Sequence, residues 1–346
     1  MTGHASRPAG PAADAAVICG TGYWLPPHVV TNAELCARLD TTEDWIVSRT
    51  GIRARRVAGP GVSTAELAAE AGARALKSAD DQEVQAVVLA TTTPDRTCPA
   101  TAPEVAARLG LTGVAAFDVA AVCTGFLYAL ATGGGLIAAG HADRVLVVAA
   151  ERFTTLLNPL DRTTVPIFGD GAGAVVLRRG PAADAGALGR TVLGSDGEQR
   201  DLISVEDGYF QKRGRAVFRQ AVERMAQAAR AAAGAVGWRT EDVDRLVVHQ
   251  ANARVAAAVA AELSIPAERH PQNIQEVGNT AAASIPILSP APTQPSTCTA
   301  SRDQNGRTGF SPGPWCPPEP SSANRRRSPG APGRTTGTAP GPAAAR

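Results

Sequence analysis

The chain has 346 residues, 44% of them hydrophobic but only 4% aromatic, and a formal charge of +2. That length suits one large α/β unit, or two halves of about 150 residues each, around a core of Ala, Val, Leu and Ile. The near-neutral charge gives no case for nucleic-acid or membrane binding, and six cysteines without a Cys-x-x-Cys pair or Cys/His cluster give none for zinc.

Residues 1–13 are polar and Gly/Pro-rich and read as a disordered N-terminus without a signal peptide, so a reducing cytoplasm is expected. Residues 15–22 form an apolar run ending in Gly20-Thr21-Gly22, the first strand. Thr31-Asn32 caps a helix reaching Leu39, with Glu34 in its first turn. A second short helix begins at Thr42 and leads into the basic stretch at residues 49–56. Residues 63–79 predict an amphipathic helix, 84–90 a strand, 103–109 a helix and 115–122 another strand. The apolar helix over 125–139 carries Thr132 and Gly133-Gly134-Gly135, which suit close packing in a core better than a membrane span. Strands over 144–150 and 172–178 complete a first half, residues 14–182.

The second half, 183–288, repeats the rhythm. Residues 191–195 and 202–205 predict strands, 216–233 a long helix, 245–249 a strand, 252–263 a helix, and 281–287 the start of one more. Strands alternating with helices through two halves indicate α/β architecture with largely parallel sheets. Beyond residue 288 the order stops. Residues 289–346 hold 12 of the 26 prolines and seven arginines against Asp303 and Glu319, a balance of +5 that leaves −3 for the rest. That segment reads as a disordered tail.

The chemistry centres on Phe117-Asp118-Val119-Ala120-Ala121-Val122-Cys123-Thr124-Gly125-Phe126, a buried strand turning at a cysteine into a helix. A thiol at the positive end of a helix is expected to have a lowered pKa and a raised thiolate fraction. His249 and Asn279, each in a later polar motif, complete a Cys/His/Asn set for acyl transfer. Papain-type proteases use the same three residue types, but their cysteine lies near the mature N-terminus in a Cys-Gly-x-Cys-Trp setting that is absent around Cys123. Phe168-Gly169-Asp170-Gly171-Ala172-Gly173-Ala174 lacks the Gly-Lys-Ser/Thr ending and the spacing of phosphate loops, and reads as tight backbone packing.

Taken with Asp44-Trp45-Ile46-Val47-Ser48-Arg49-Thr50-Gly51-Ile52-Arg53, His249-Gln250-Ala251-Asn252-Ala253-Arg254 and Gly278-Asn279-Thr280-Ala281-Ala282-Ala283-Ser284, these motifs resemble the β-ketoacyl-acyl-carrier-protein synthase III family over residues 15–288. The resemblance implies a five-layer αβαβα thiolase-like fold with two similar halves, in a cytoplasmic homodimer. It implies decarboxylative condensation of an acyl-CoA primer with malonyl-acyl carrier protein, with no cofactor, starting fatty acid or polyketide chains. Cys123 would carry the acyl group, and His249 and Asn279 would donate hydrogen bonds to the enolate, His249 alternatively assisting deprotonation of Cys123. Trp45, Arg49, Arg162, Gly214, Phe218 and Asn252 match CoA-binding positions, the adenine lying between Trp45 and Arg162. Arg254 matches a carrier-protein docking arginine. Cys98 falls where a bulky aromatic often limits primer size, which implies a roomier pocket.

The family's final helix and strand have no counterpart in the tail, although Gly309-Phe310-Ser311-Pro312-Gly313 echoes its closing turn with a proline that offers no N–H. Two other readings stay open at this point. One is a type III polyketide synthase using CoA extenders; the other is a catalytically impaired scaffold.

Overall fold

The computed structural model describes residues 14–288 except 81–82, together with 301–302 and 308–309. The predicted N-terminal and tail disorder, and the Gly309–Gly313 echo beyond its first residue, lie outside the described residues. Ser301–Arg302 and Thr308–Gly309 pair antiparallel in a separate unit that begins at Pro295.

Val145-Leu146-Val147-Val148-Ala149-Ala150 has no polar alternation, the pattern of a strand covered on both faces. It lies at the heart of the first half. In chain order this half comprises β1 (Asp14–Trp24), β2 (Val29–Thr31), α1 (Asn32–Cys36), α2 (Glu43–Thr50), β3 (Ala54–Arg56), α3 (Thr64–Ser78), β4 (Ala86–Ala90), α4 (Ala102–Arg108), β5 (Ala115–Val119), α5 (Gly125–Ala138), β6 (Arg144–Glu151) and β7 (Gly171–Pro181). One mixed sheet has the order β1-β7-β6-β4-β5. Its β6-β4-β5 side is parallel, and β7 runs antiparallel to both β6 and β1. A small antiparallel pair, β2 with β3, ties the basic stretch to the start of α1.

Helices α3 and α4 cover one face of the sheet through Leu67, Leu76 and Val105, while Phe126, Ala129 and Ile137 of α5 cover the other. Carboxylates at loops and strand ends fasten the helices. Asp95 accepts from the N–H groups of Thr64 and Ala65, at 2.7 and 2.8 Å. Asp118 on β5 accepts from those of Thr101 and Ala102, also at 2.7 and 2.8 Å. These bonds satisfy donors that a helix start leaves over. The predicted cap at Thr31 is formed as a full capping box with Glu34, and Thr42 and Ser63 cap the helices that begin there.

The second half comprises β8 (Ile203–Glu206), β9 (Tyr209–Lys212), α6 (Gly214–Ala235), α7 (Ala253–Glu262), α8 (Ile274–Val277) and α9 (Ser284–Leu288). Strands β8 and β9 pair as a hairpin. Residues 191–195 form no strand, in contrast to the expectation. Residues 245–249 also carry no ladder, although their side chains alternate as a strand's do. Leu246 and Val248 join α6 and α7 in one cluster, while Val247 packs against the α5 cluster. A ladder needs a neighbouring strand for its N–H and C=O groups, and among the described residues none lies beside this segment. Among the described residues the one large sheet thus belongs to the first half, and residues 245–249 are placed by side-chain packing.

Gly22 shows how closely the first half is packed. A Cβ there would lie 2.5 Å from the Ala71 carbonyl oxygen, with the Ala75 nitrogen nearer still. Strand β1 therefore rests directly on the backbone of α3. Gly22→Ala is expected to destabilise the fold by about 1–3 kcal/mol through overpacking, read as a lowered thermal midpoint. An unchanged midpoint would show that β1 and α3 separate freely.

Candidate active site

Strand β5 ends at Val119, and the chain turns through Ala121 and Val122 into a single 3-10 turn, Val122–Thr124, ahead of α5. Val122 sits at φ +45°, an unfavourable backbone region for a β-branched residue. Cys123 follows it, half-buried against a cluster containing Phe153, Phe168, Phe210 and Ala281. Phe153 and Phe168 stack with centroids 4.1 Å apart, and Phe210 meets both edge-on at 5.1 and 5.0 Å.

The thiol pKa runs against the sequence expectation. Burial pushes it up to about 12, and repulsion from Glu151 adds to the rise. The helix end does not prevail, because removing a thiolate from water costs more than the terminal dipole returns. Glu151 is itself wholly buried at the end of β6. It accepts from the Thr92 N–H at 3.0 Å, from both threonine hydroxyls of Thr92 and Thr93 at 3.1 Å, and from the Ala282 backbone. Burial outweighs these bonds and carries its pKa up to about 8. The residue was absent from the sequence candidates. Its signal was a lone carboxylate closing a wholly apolar strand.

His249 Nδ1 lies 2.8 Å from the Ser284 hydroxyl. Burial lowers the ring's pKa to about 4, against the opposing effect of a hydrogen bond with the Ala281 backbone, so the imidazole is neutral at physiological pH. Asn279 is 3% exposed and held from three sides. Its N–H donates to the Ile167 carbonyl at 2.9 Å, and its own carbonyl accepts from the Gly169 N–H at 3.0 Å. Its side-chain Oδ1 accepts from the Ala281 N–H at 2.9 Å, which fixes the amide so that Nδ2 faces Ala251, whose carbonyl oxygen is 3.3 Å away. One Nδ2 proton remains for another acceptor. Gly278, at φ +73°, makes this approach possible, since a Cβ would meet that of Arg55 at 2.9 Å.

All three candidates therefore meet one segment. Asn279 belongs to it, His249 bonds to Ser284, and the Cys123 turn packs on Ala281–Ala283.

The other candidates divide. Arg162 lies over the Trp45 ring at 5.8 Å and donates to the Asp40 carbonyl at 2.6 Å. A purine between them needs roughly 7 Å, two van der Waals separations, so the pair must open slightly. Arg49 is exposed one turn along α2 from Trp45. Asn252 caps α7, its Oδ1 accepting from the Val255 N–H at 2.9 Å, which gives it a structural duty the sequence reading did not assign. Gly214 opens α6 beside open space, and Phe218 packs into the α6–α7 cluster. Arg254 is exposed near the start of α7. Among the described residues no group of three or more His, Cys, Asp or Glu side chains could hold a metal, and no helix is long and apolar enough to cross a membrane.

A half-buried thiol at a strand-to-helix turn, a neutral imidazole and an oriented amide, on an α/β core, are the groups that a Cys/His/Asn acyl-transfer site requires. Family comparison narrows the class. The model of 3-oxoacyl-[acyl-carrier-protein] synthase III matches residues 117–197, and the model of its C-terminal region matches 233–290. The β-ketoacyl-[acyl-carrier-protein] synthase III 3 of Streptomyces coelicolor is 55% identical over 291 residues, covering 79% of this chain and 87% of that protein. The synthase III of Pseudomonas aeruginosa is similar in sequence, and its crystal structure superposes with a TM-score of 0.77 at 53% identity, covering 79% of this chain and 87% of that one. The priming β-ketosynthase of the R1128 polyketide pathway gives 0.75 at 33% identity, covering 81% and 88%. The chain belongs to the β-ketoacyl-acyl-carrier-protein synthase III family.

The electrostatics of Cys123 are open to direct test. Alkylation by iodoacetamide, followed by mass spectrometry of the Cys123 peptide, should be slow at pH 7 and still rising beyond pH 10. Glu151→Gln removes the charge that develops near pH 8 and should speed alkylation above that pH by roughly 3–10-fold, one pKa unit being tenfold in thiolate. A profile saturating below pH 8 would show instead that the helix end rules the thiol.

Proposed function

We propose that this chain condenses an acyl-CoA primer with malonyl-acyl carrier protein, giving 3-oxoacyl-acyl carrier protein, carbon dioxide and free CoA. The observation that carries the reading is the convergence of Cys123, His249 and Asn279 on residues 279–284. In the first step the Cys123 sulfur bonds to the primer's thioester carbon, the carbon–sulfur bond to CoA breaks, and the thiol proton goes to the departing CoA sulfur. In the second, malonyl-acyl carrier protein loses carbon dioxide and the electron pair moves onto its thioester oxygen as an enolate. Its carbon then attacks the acyl-cysteine, expelling the Cys123 sulfur, which takes up a proton from solvent to restore the thiol.

The residues suit these steps. A ring with a pKa of about 4 is a weak base for a thiol near 12, which favours His249 as a hydrogen-bond donor over a proton acceptor. With the free Nδ2 proton of Asn279 it offers two donors to the enolate, each worth about 3–4 kcal/mol in a dry site. Neither donor is acidic enough to quench the carbanion. The phenylalanines packed around Cys123 favour a short primer, whereas Cys98, the sequence clue to a roomier pocket, is exposed on this chain.

In this reading Trp45 and Arg162 hold the adenine, Arg49 adds charge for phosphate, and Gly214, Phe218 and Asn252 border the path of the CoA arm. Arg254 offers a cation to an acidic carrier protein. The enzyme works in the cytoplasm as a homodimer and draws on no cofactor. Malonyl-CoA extension without a carrier protein would instead mark a type III polyketide synthase. Intact-mass measurement after incubation with acetyl-CoA should show the acetyl increment on the wild-type chain and none on Cys123→Ala. An acetylated Cys123→Ala chain would remove Cys123 from its role, and an unmodified wild type would leave only the scaffold reading.

A further inference from the structure

Strand β9 sends alternate side chains to opposite sides, and its burial follows that period. Tyr209 and Gln211 are exposed, whereas Phe210 is buried in the cluster that packs against Cys123. Lys212 lies two residues on from Phe210 and therefore shares its side of the strand. Its Nζ stands over the Phe168 ring, 5.8 Å from the centre, near the outer limit of cation–π attraction. That ring stacks on Phe153 and meets Phe210 edge-on, and the Phe168 backbone bridges to that of Asn279. A cation thus stands among the phenylalanines of the Cys123 site, where neither acylation nor condensation employs one.

The amine is poorly satisfied there. An ammonium has three protons to donate, yet the half-buried Lys212 side chain makes no hydrogen bond or ion pair among the described residues. The carboxylate whose charge acts on it is Asp161, and the oxygens of Asp161 already have donors. They accept from the Thr163 N–H and from the hydroxyls of Thr163 and Thr164, at 2.8, 2.7 and 2.6 Å. Burial brings the Lys212 pKa down to about 8, against the pull of Asp161, so the amine keeps its proton at neutral pH. A partly desolvated charge without an acceptor is unfavourable, and an anion placed beside it would offset that penalty.

Both substrates of the condensation can bring a carboxylate. The malonyl group's own carboxylate fits poorly. A cation beside it would stabilise the ionised starting state, whose charge must leave for the thioester oxygen as carbon dioxide departs, and so would raise the barrier. A carboxylate at the far end of the primer takes no part in either step, so the same contact strengthens binding without opposing the chemistry. The phenylalanine rings would meanwhile pack on the methylene groups between the two ends.

We propose that Lys212 is a specificity-determining residue whose ammonium receives the distal carboxylate of a short primer, so that the chain prefers the CoA ester of a short dicarboxylic acid to an alkanoyl-CoA of equal carbon number. The inference rests on the condensing reading for the primer's attachment to Cys123. The bonds made and broken there are those of any acyl-CoA, and the distal carboxylate is unchanged by the reaction.

Matched primers test it on the full chain: succinyl-CoA against butyryl-CoA, and glutaryl-CoA against valeryl-CoA. Calorimetric binding to Cys123→Ala, which cannot accept the acyl group, should favour the carboxylated member of at least one pair. Adding Lys212→Met, an unbranched apolar side chain, should lower the affinity ratio of that pair roughly 10–100-fold, the range of a lost hydrogen bond to a charged group. Lys212→Arg, which keeps the charge, should retain the preference. General loosening of the fold weakens both members of a pair alike and leaves the ratio unmoved. Acyl-enzyme formation on chains that keep Cys123, followed by intact mass, should show the same ratios. No preference in either pair, a ratio unchanged by Lys212→Met, or binding of none of the esters would overturn the proposal. If Lys212→Met raises the KM for malonyl-acyl carrier protein and leaves the primer ratio alone, the amine belongs to the malonyl carboxylate instead. A chain that binds the carboxylated ester preferentially yet forms no acyl-enzyme would refute the condensing reading alone.

Discussion

The site depends on one short segment, Gly278 to Ser284, wedged between the two halves of the body. Its backbone closes a bridge to Phe168 and supplies the Ala281 N–H that orients the Asn279 amide. Its alanines pack beneath the Cys123 turn, and a Cβ on Gly125 would be in van der Waals contact with that of Ala282 at 3.4 Å. Its last residue meets His249. Small side chains are required throughout, since one added methylene in a close-packed interior must displace a neighbour. The run Ala281-Ala282-Ala283 is wholly buried and carries the contact between this segment and the Cys123 turn.

Burial sets the charge state of the titratable groups here. Cys123, Glu151 and His249 are all pushed towards their neutral forms, by burial before any partner. The consequences for stability run in opposite directions. The Glu151 carboxyl ionises near 4.5 when unfolded but near 8 when folded, so its share of stability is full below pH 4.5 and is lost as pH rises through 8. His249 takes a proton near 6.5 when unfolded but near 4 when folded, so its share is lost as pH falls from 6.5 through 4. The same neutrality serves the chemistry. In the proposed condensation the enolate's charge would develop opposite N–H donors in a partly buried site, where each donor counts for more than it would in water.

Much of this was legible in the sequence. The cap at Thr31, the helix starts at Thr42 and Ser63, the apolar strand at β6 and the helix after Cys123 all follow from local patterns that tertiary contacts reinforce. The three catalytic candidates carried motifs, and the structure brings them to one segment. The thiol's pKa was misjudged because a helix terminus is visible in sequence, whereas depth of burial is a property of the packed whole. Glu151 was passed over for a related reason. A carboxylate at the end of a strand usually faces solvent, and only the fold reveals that threonine hydroxyls and an Ala282 amide enclose it. Ser284 stood in plain view inside a motif, but its contact with His249 joins residues 35 positions apart in the chain.

Residues 245–249 bear most on whether the site can work as drawn. The strand that should deliver His249 has strand-like side-chain alternation and no ladder, so backbone pairing does not locate the ring. A single backbone bond, from the Leu246 N–H to the Arg269 carbonyl at 2.8 Å, anchors its start. At its end the work passes to side chains, with Gln250 bound to the start of α8 and Ser284 bound to the ring. Leu246, Val247 and Val248 wedge the stretch between two apolar clusters. Packing of this kind resists displacement across the segment better than sliding along it, because it lacks the directional bonds that set a register. The polar contacts at Gln250 and Ser284 are what oppose sliding. Holding the imidazole in place thus falls to a few hydrogen bonds.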